Sequence, residues 1–111
     1  MISTHVLDLV AGKPASGVIV TLSRLGDDTR TEIAKGVTDK DGRIKNVGAR
    51  RGVLAAGVYE LLFETGAYFA RKNVRSFHPR VAITIEIRDA SQHHHVPLLL
   101  SPFGYTTYRG S

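Results

Sequence analysis

Hydrophobic and polar residues alternate along much of this chain, most regularly from Val81 to Arg88. Branched apolar residues occupy every second position of that segment, and the positions between them are small, polar or charged. A period of two predicts a strand with one buried face and one solvated face. Other β-type runs predict strands at Ile2–Val10, Val18–Leu22, Thr29–Val37, after Arg43, at Val58–Thr65, at His93–Leu100 and at Tyr105–Tyr108.

Turn residues separate these runs, and only one short helix is indicated. Asp39–Gly42 predicts a tight hairpin turn, because glycine can take a positive φ, and it places Arg43 at the mouth of the next strand. Residues 48–57 read as a Gly/Ala/Arg loop, and Gly66–Val74 is the only candidate helix. Pro97 predicts either an edge strand or a strand whose proline nitrogen points away from the ladder. The pattern predicts an all-β, two-sheet β-sandwich of seven or eight strands with one short helix.

The length of 111 residues predicts one domain spanning residues 1–111. The chain has no cysteine, so it can contain neither a disulfide framework nor thiol chemistry. Its first residues resemble no secretory signal, and no stretch approaches the roughly 20 apolar residues of a membrane helix. We therefore expect a soluble cytoplasmic protein without a membrane partner.

The net charge of +5 and the pI near 9.9 would suit an anionic partner. The basic residues are spread among acidic ones, however, and no predicted helix carries a basic stripe. We expect a solvated basic surface that steers a small acidic substrate, and no nucleic-acid partner.

The last eleven residues, Ser101–Ser111, contain two Tyr, one Phe, one Pro and one Arg. Chain ends are usually frayed and polar, so this composition indicates a tail that is docked and holds its functional groups in place. The alternative is a final strand that only completes a sheet.

Several kinds of chemistry are not supported by the motifs present. The chain has no phosphate-binding glycine loop and no G-x-S-x-G elbow, and Asp39–Gly42 lacks the ligand spacing of a calcium loop. His93 and His95 share one face of a strand and could ligate a metal if His5 or His78 supplied a third ligand. No cysteine or acidic ligand lies in the His93–His95 run, so we expect no metal and no cofactor.

The alternative to a metal is general acid–base chemistry at the ends of strands. Histidine can take a proton from water near neutral pH, and arginine can hold an anionic or developing oxyanion group. The candidates are His5, Arg43, His95 and the Tyr108–Ser111 tail. Each of these residues alone is also explained as an ordinary edge, surface or core residue.

Five segments together resemble the 5-hydroxyisourate hydrolases of the transthyretin-like family over nearly the whole chain. Thr4–Asp8 and Gly12–Ala15 resemble the opening block, and Thr38–Arg43 resembles the central turn. His93–Pro102 resembles the penultimate strand, and Tyr105–Ser111 matches the terminal signature that ends in Tyr-Arg-Gly-Ser. That ending separates the hydrolases from the hormone carrier transthyretin.

The resemblance implies a homotetrameric β-sandwich enzyme with active sites at the dimer–dimer interface. Its expected reaction is the hydrolytic opening of the six-membered ring of 5-hydroxyisourate to 2-oxo-4-hydroxy-4-carboxy-5-ureidoimidazoline in urate breakdown. His94 stands where the family usually has tyrosine, and we expect it to point away from its two histidine neighbours. The resemblance assigns catalysis to His5, Arg43, His95 and Ser111, and substrate binding to His5, Arg43, Tyr108, Arg109 and Gly110.

Other functions remain open at this level. The first alternative is a transthyretin-like carrier that holds a small aromatic ligand without turnover. A structural or adhesive sandwich domain is the second alternative, and a nucleic-acid binder is a distant third.

Overall fold

The computed structural model describes residues 1–48 and 52–111. Within these ranges the chain forms two β-sheets and one short helix. Part of the predicted loop at residues 48–57, including Arg50 and Arg51, lies outside the described residues. The elements are β1 (Ile2–Asp8), β2 (Lys13–Pro14), β3 (Ile19–Leu25), β4 (Arg30–Val37), β5 (Arg43–Val47), β6 (Gly57–Phe63), α1 (Thr65–Arg71), β7 (Val81–Ile87), β8 (His94–Ser101) and β9 (Gly104–Thr107).

The two sheets have different internal orders. One runs β2-β1-β8-β9, with β5 also pairing with β1, and the other runs β4-β3-β6-β7. β1 and β8 are parallel, whereas the other pairs are antiparallel. β1 therefore has β8 on one side and β5 on the other, which brings three distant segments together.

The core lies between the sheets and is formed by the inward residues of both. Along β7, Val81, Ile83 and Ile87 are buried while Ala82, Thr84 and Glu86 are exposed, so the predicted alternation is confirmed. Ile2, Val6, Leu98 and Leu100 supply the facing side from β1 and β8. Their burial drives the packing of the sheets, because apolar area is removed from water.

The predicted β-sandwich is confirmed, with shifts at the ends of elements. The strand predicted to end at Thr65 ends at Phe63, because Thr65 is the first residue of α1. The helix predicted at Gly66–Val74 spans Thr65–Arg71. Asn73 follows it with φ 57, in a left-handed conformation that asparagine tolerates better than most residues and that stops the helix.

One strand lies where a turn was expected. The described residues form nine strands, because Lys13 and Pro14 return from the predicted turn and pair with Asp8 and Leu7. The buried carboxylate of Asp8 makes this return possible, since its Oδ1 accepts hydrogen bonds from the backbone N–H groups of Val10 and Ala11.

Pro97 lies inside the first sheet and not at its edge. β8 pairs with both β1 and β9. The ladder with the tail stops at the Leu98–Thr107 pair and resumes in the same register at the His95–Gly110 bridge. The proline therefore coincides with a gap in that ladder, which is how an internal strand accommodates a residue without an N–H.

The turn before β5 fixes the position of Arg43. Asp39 Oδ1 accepts hydrogen bonds from the backbone N–H groups of Asp41 at 2.9 Å and Arg43 at 3.0 Å. The bond from the Arg43 N–H is the main reason that the pKa of Asp39 lies below its ordinary value. Gly42 has φ +72, and its N–H donates to the Asp39 carbonyl. Asp39 and Gly42 thus direct the chain into β5 with Arg43 as its first residue.

Replacing Gly42 by alanine should destabilise the fold through a specific collision. A Cβ at this position would meet the backbone carbonyl oxygen of Val6 in β1. Gly12 has nearly the same backbone angle, φ +70, but nothing lies within 4 Å of its would-be Cβ. We expect Gly42→Ala to lower the free energy of unfolding more than Gly12→Ala, by about 1–3 kcal/mol, as overpacking typically does. Urea denaturation of both variants measures the difference, and equal losses would contradict this account of the turn.

Candidate active site

The outer face of the first sheet collects polar residues from three strands. In β1, Ser3 and His5 alternate with the inward residues Ile2, Thr4 and Val6. Ser3 is paired in register with His95 of β8, and His5 with Arg43 of β5. Because β1 lies between the other two strands, the imidazole and the guanidinium come from its opposite sides.

The Ser3 hydroxyl forms hydrogen bonds with two histidine rings. Its Oγ lies 2.7 Å from His93 Nε2 and 2.7 Å from His95 Nδ1. The centres of the two rings are 6.4 Å apart, so the hydroxyl fills the space between them. Ser3 is only 6% exposed, whereas His93, immediately before β8, is exposed.

A groove of about 550 Å³ opens over this network. Its polar wall is formed by Ser3, His93 and His95, with Arg43 of β5 on the same lining. Its size suits a small bicyclic molecule, since ligand pockets commonly span roughly 300–1,000 Å³. The remaining lining residues are Met1, Ile44, Lys45, Asn46 and Ser111.

The tail approaches the same site through its backbone. The Gly110 N–H donates a hydrogen bond of 2.8 Å to the His95 carbonyl. A Cβ on Gly110 would lie 2.5 Å from the His95 ring, so only glycine permits this approach. The side chain of Tyr108 is 55% exposed and is therefore not a core residue. The tail is docked by β9 and by Gly110, and its side chains remain accessible.

Tyr108 and Arg109 face a second cavity of about 300 Å³, between β7 and the tail. His95 lines both this cavity and the larger groove. Arg109 also donates a hydrogen bond of 3.1 Å to Gln92 Oε1. The two tail side chains thus line a different cavity from Arg43 and Ser111.

The electrostatic surroundings of His95 favour its neutral form. Burial lowers the pKa of His95 below its ordinary value of 6.5, and the positive charge of Arg43 and the neighbouring His93 and His5 lower it further. A neutral imidazole has one nitrogen free to accept a proton. His95 Nδ1 is bonded to Ser3, whereas Nε2 has no hydrogen-bond partner within the described residues.

His94 points away from its two neighbours, as expected from strand geometry. It is 6% exposed and lies on the inward face with Val96 and Leu98. Burial lowers the pKa of His94 below 6.5, and the charge of Arg109 acts in the same direction. Its Nδ1 is buried without a hydrogen-bond partner among the described residues.

The structure brings together most, but not all, of the residues singled out from the sequence. Arg43, His95 and Ser111 line the groove, and His5 is in register with Arg43 beside them. Tyr108 and Arg109 line the second cavity, and Gly110 contacts the His95 ring.

Sequence reasoning missed Ser3 entirely and weighed His93 only as a metal ligand. The alternation of side chains along a strand could have indicated both residues. Ser3 lies on the same face as His5, and His93 lies on the same face as His95. Within residues 1–48 and 52–111, no three His, Cys, Asp or Glu side chains are grouped as metal ligands would be. In the same ranges, no helix is long and apolar enough to cross a membrane.

Comparison with known proteins gives a consistent result. Residues 2–110 match the HIUase/Transthyretin family. A 5-hydroxyisourate hydrolase of Salmonella dublin is 44% identical over 111 residues, covering 100% of this chain and 81% of the relative. The structure of Klebsiella pneumoniae 5-hydroxyisourate hydrolase aligns with a TM-score of 0.88 and 45% identity, covering 99% of this chain and 98% of the other.

A solved transthyretin is also similar. Sea bream transthyretin, crystallised in complex with thyroxine, aligns with a TM-score of 0.90 and 35% identity, covering 98% of this chain and 93% of that chain. Fold similarity is therefore as high for this transthyretin as for the hydrolase, while sequence identity is higher for the hydrolase. The chain belongs to the HIUase/Transthyretin family.

Removing the charge of Arg43 should raise the pKa of His95. In Arg43→Gln the guanidinium no longer disfavours the imidazolium, so protonation of His95 moves to higher pH. Lys45→Gln is the matched control, because Lys45 lines the same groove but is not among the charges that shift His95. Titrating the His95 ring by NMR measures both variants. An unchanged pKa in Arg43→Gln, or an equal rise in Lys45→Gln, would contradict the assignment.

Proposed function

We propose that this chain is an enzyme that opens the six-membered ring of 5-hydroxyisourate in urate degradation. The product is 2-oxo-4-hydroxy-4-carboxy-5-ureidoimidazoline. The observation that carries the proposal is the groove in which a serine-linked pair of histidines lies beside an arginine. The relatives named as 5-hydroxyisourate hydrolases, or as probable ones, at 43–46% identity over nearly the whole chain, support the same activity.

His95 is the proposed general base. Its Nε2 takes a proton from water, and the resulting hydroxide adds to the ring carbonyl carbon. The C–N bond to that carbon then breaks, and the departing nitrogen recovers the proton. Base catalysis of this kind typically contributes about 10²–10⁴-fold to the rate. Because the proposed base and the proposed oxyanion donor are both side chains of this groove, we propose that the step proceeds without a metal or organic cofactor.

Arg43 and His5 are proposed to act on the substrate's oxygens. Arg43 places a permanent positive charge in the groove, where it can hold a carbonyl oxygen and stabilise the oxyanion that forms on it. One such donor is commonly worth about 10²–10³-fold. His5, in register with Arg43, is placed to hold the substrate or the attacking water.

The tail is proposed to close the site. Ser111 lines the groove, where its hydroxyl can contact the substrate or the water. Gly110 permits the tail to lie against His95. Tyr108 and Arg109 line the second cavity, so their proposed role is to shape its wall and to bind.

We also propose that the chain acts as one domain, residues 1–111, in a cytoplasmic homotetramer with sites at the dimer–dimer interface. Among the described residues, the edge strands β7 and β9 each have one unpaired side, which is available for sheet extension. The groove lies on the open face of the first sheet, where a facing subunit could complete it. Exposed Phe103 and Tyr108, at 68% and 55%, are aromatic residues that such contacts would cover.

A transthyretin-like carrier is the second candidate, favoured by the similarity to thyroxine-bound sea bream transthyretin. A carrier requires shape and apolar contact, but it does not require two histidines linked by a hydroxyl. The Ser3, His93 and His95 network therefore favours turnover over simple binding.

The assay is the ultraviolet decay of freshly prepared 5-hydroxyisourate with and without protein. We expect strong acceleration by the wild-type chain and a loss of about 10²–10⁴-fold in His95→Asn, the typical contribution of a general base. His78→Asn is the control, because His78 packs on Phe77 and Tyr105 outside the groove. If the wild-type chain binds the compound but leaves its decay unchanged, the carrier is the correct function.

Adding a methyl group to Gly110 should impair catalysis by moving the His95 ring. The new Cβ would lie 2.5 Å from that ring, so either the ring or the tail must shift. Since misplacing a catalytic group by about 1 Å can cost about 100-fold, we expect Gly110→Ala to lower kcat by about 10-fold to 100-fold. Gly104→Ala in β9 is the control, because nothing lies within 4 Å of its Cβ position. Equal kcat values in the two variants would show that tail contact with His95 is not required.

A further inference from the structure

Ser3 couples the protonation of two histidines. Its Oγ is 2.7 Å from both His93 Nε2 and His95 Nδ1. A hydroxyl carries one proton, so it can donate to one ring while it accepts from the other. The ring to which the Ser3 hydroxyl donates therefore determines which nitrogen of each neutral imidazole carries a hydrogen.

Only one of the two arrangements leaves His95 as a base. If Ser3 donates to His95 Nδ1, the hydrogen of the neutral ring lies on Nε2, which then cannot accept a proton. If Ser3 donates to His93 Nε2, His95 carries its hydrogen on Nδ1 and its Nε2 is free. The second arrangement is the one that activation of water in the groove requires.

We propose that Ser3 is a positioning residue that holds His95 in its Nδ1–H form and connects it to His93 as a proton relay. This inference rests on the proposed hydrolysis, because it specifies how His95 acts as the base. It adds His93 as the group that takes the Ser3 proton and carries the positive charge.

In the relay, each bond that breaks is matched by one that forms. An O–H bond of water breaks, its proton bonds to His95 Nε2, and the hydroxide bonds to the carbonyl carbon. The Nδ1 proton of His95 moves to Ser3 Oγ as the Ser3 proton moves to His93 Nε2. Ser3 and His95 are then neutral, and His93 carries the positive charge. When the C–N bond breaks, the departing nitrogen takes the Nε2 proton of His95, and the other two transfers reverse.

The surroundings of the two rings support this direction of transfer. Burial and the Arg43 cation oppose a positive charge on His95, and they keep its pKa below 6.5. His93 is exposed, so water can solvate a charge placed there. A relay therefore moves charge from a ring where it is disfavoured to one where solvent stabilises it.

A double-mutant cycle tests the relay. At about pH 8, above the ordinary histidine pKa of about 6.5, we expect Ser3→Ala and His93→Ala each to lower kcat by about 10-fold to 100-fold. Because both residues serve one relay, the double variant should lose no more than either single variant. Ser3→Thr retains the hydroxyl and should recover most of the rate. If the double variant loses the product of the two single losses, or if Ser3→Ala keeps the wild-type kcat, the proposal is overturned.

A second measurement separates positioning from loss of structure. ¹⁵N NMR of the imidazole nitrogens should show His95 protonated at Nδ1 in the wild-type chain and should show that preference lost in Ser3→Ala. Thr4→Val is the control, because it removes a buried hydrogen bond of 2.6 Å to the Val96 carbonyl from the same strand. We expect Thr4→Val to lower stability but to leave the tautomer unchanged.

The two measurements also distinguish failure of the relay from failure of the proposed reaction. A wild-type chain that does not hydrolyse 5-hydroxyisourate refutes the reaction, and with it the catalytic role of the relay. Observation of His95 protonated at Nε2 in an active wild-type chain refutes the relay alone.

Discussion

The parallel pairing of β1 with β8 is the constraint on which both the core and the site depend. In one register Ile2, Thr4 and Val6 face the interior, while Ser3 meets His95 on the outer face. A slip of one residue would exchange these faces, burying the polar residues and exposing the apolar ones. The burial that stabilises the sandwich therefore also sets the distance between serine and histidine.

Strand β5, which pairs antiparallel with β1, adds a positive charge beside the histidine. Arg43 begins β5 directly after a turn that is fixed by Asp39 and by the positive φ of Gly42. Its cation and the partial burial of His95 both disfavour the imidazolium. The same arginine that is proposed to stabilise an oxyanion thus also lowers the pKa of His95, the proposed base, so one placement serves two chemical needs.

The sequence predicted the sandwich well because alternation reports burial locally. The strand at Val81–Ile87 and the turn before Arg43 both follow from residues a few positions apart. Alternation does not report which strands become neighbours. Ser3 and His93 are 90 residues apart, and nothing local indicates that their strands run side by side in parallel. For this reason the sequence does not indicate Ser3 as a site residue, although its spacing of two positions from His5 predicts that both lie on one face of the strand.

Three-dimensional placement also changed the interpretation of the tail. Its aromatic content indicated docking, and the docking is by backbone: β9 pairs with β8, and Gly110 bridges His95. The side chains of Tyr108 and Arg109 face a separate cavity. Composition indicates that a segment will pack. The gap in the β8–β9 ladder at Pro97 and the close approach of Gly110 to the His95 ring depend on how the strands are paired, which composition does not indicate.

The central claim is that one small planar molecule is held between Arg43 and His95 in the groove beside Ser3. A crystal structure of the chain with a purine analogue that lacks the scissile bond tests this claim most directly. We predict that the analogue's ring oxygens lie within hydrogen-bond distance of the Arg43 guanidinium and that His95 Nε2 faces the carbon to be attacked. An analogue bound in the cavity between β7 and the tail, out of reach of Arg43, would contradict the account.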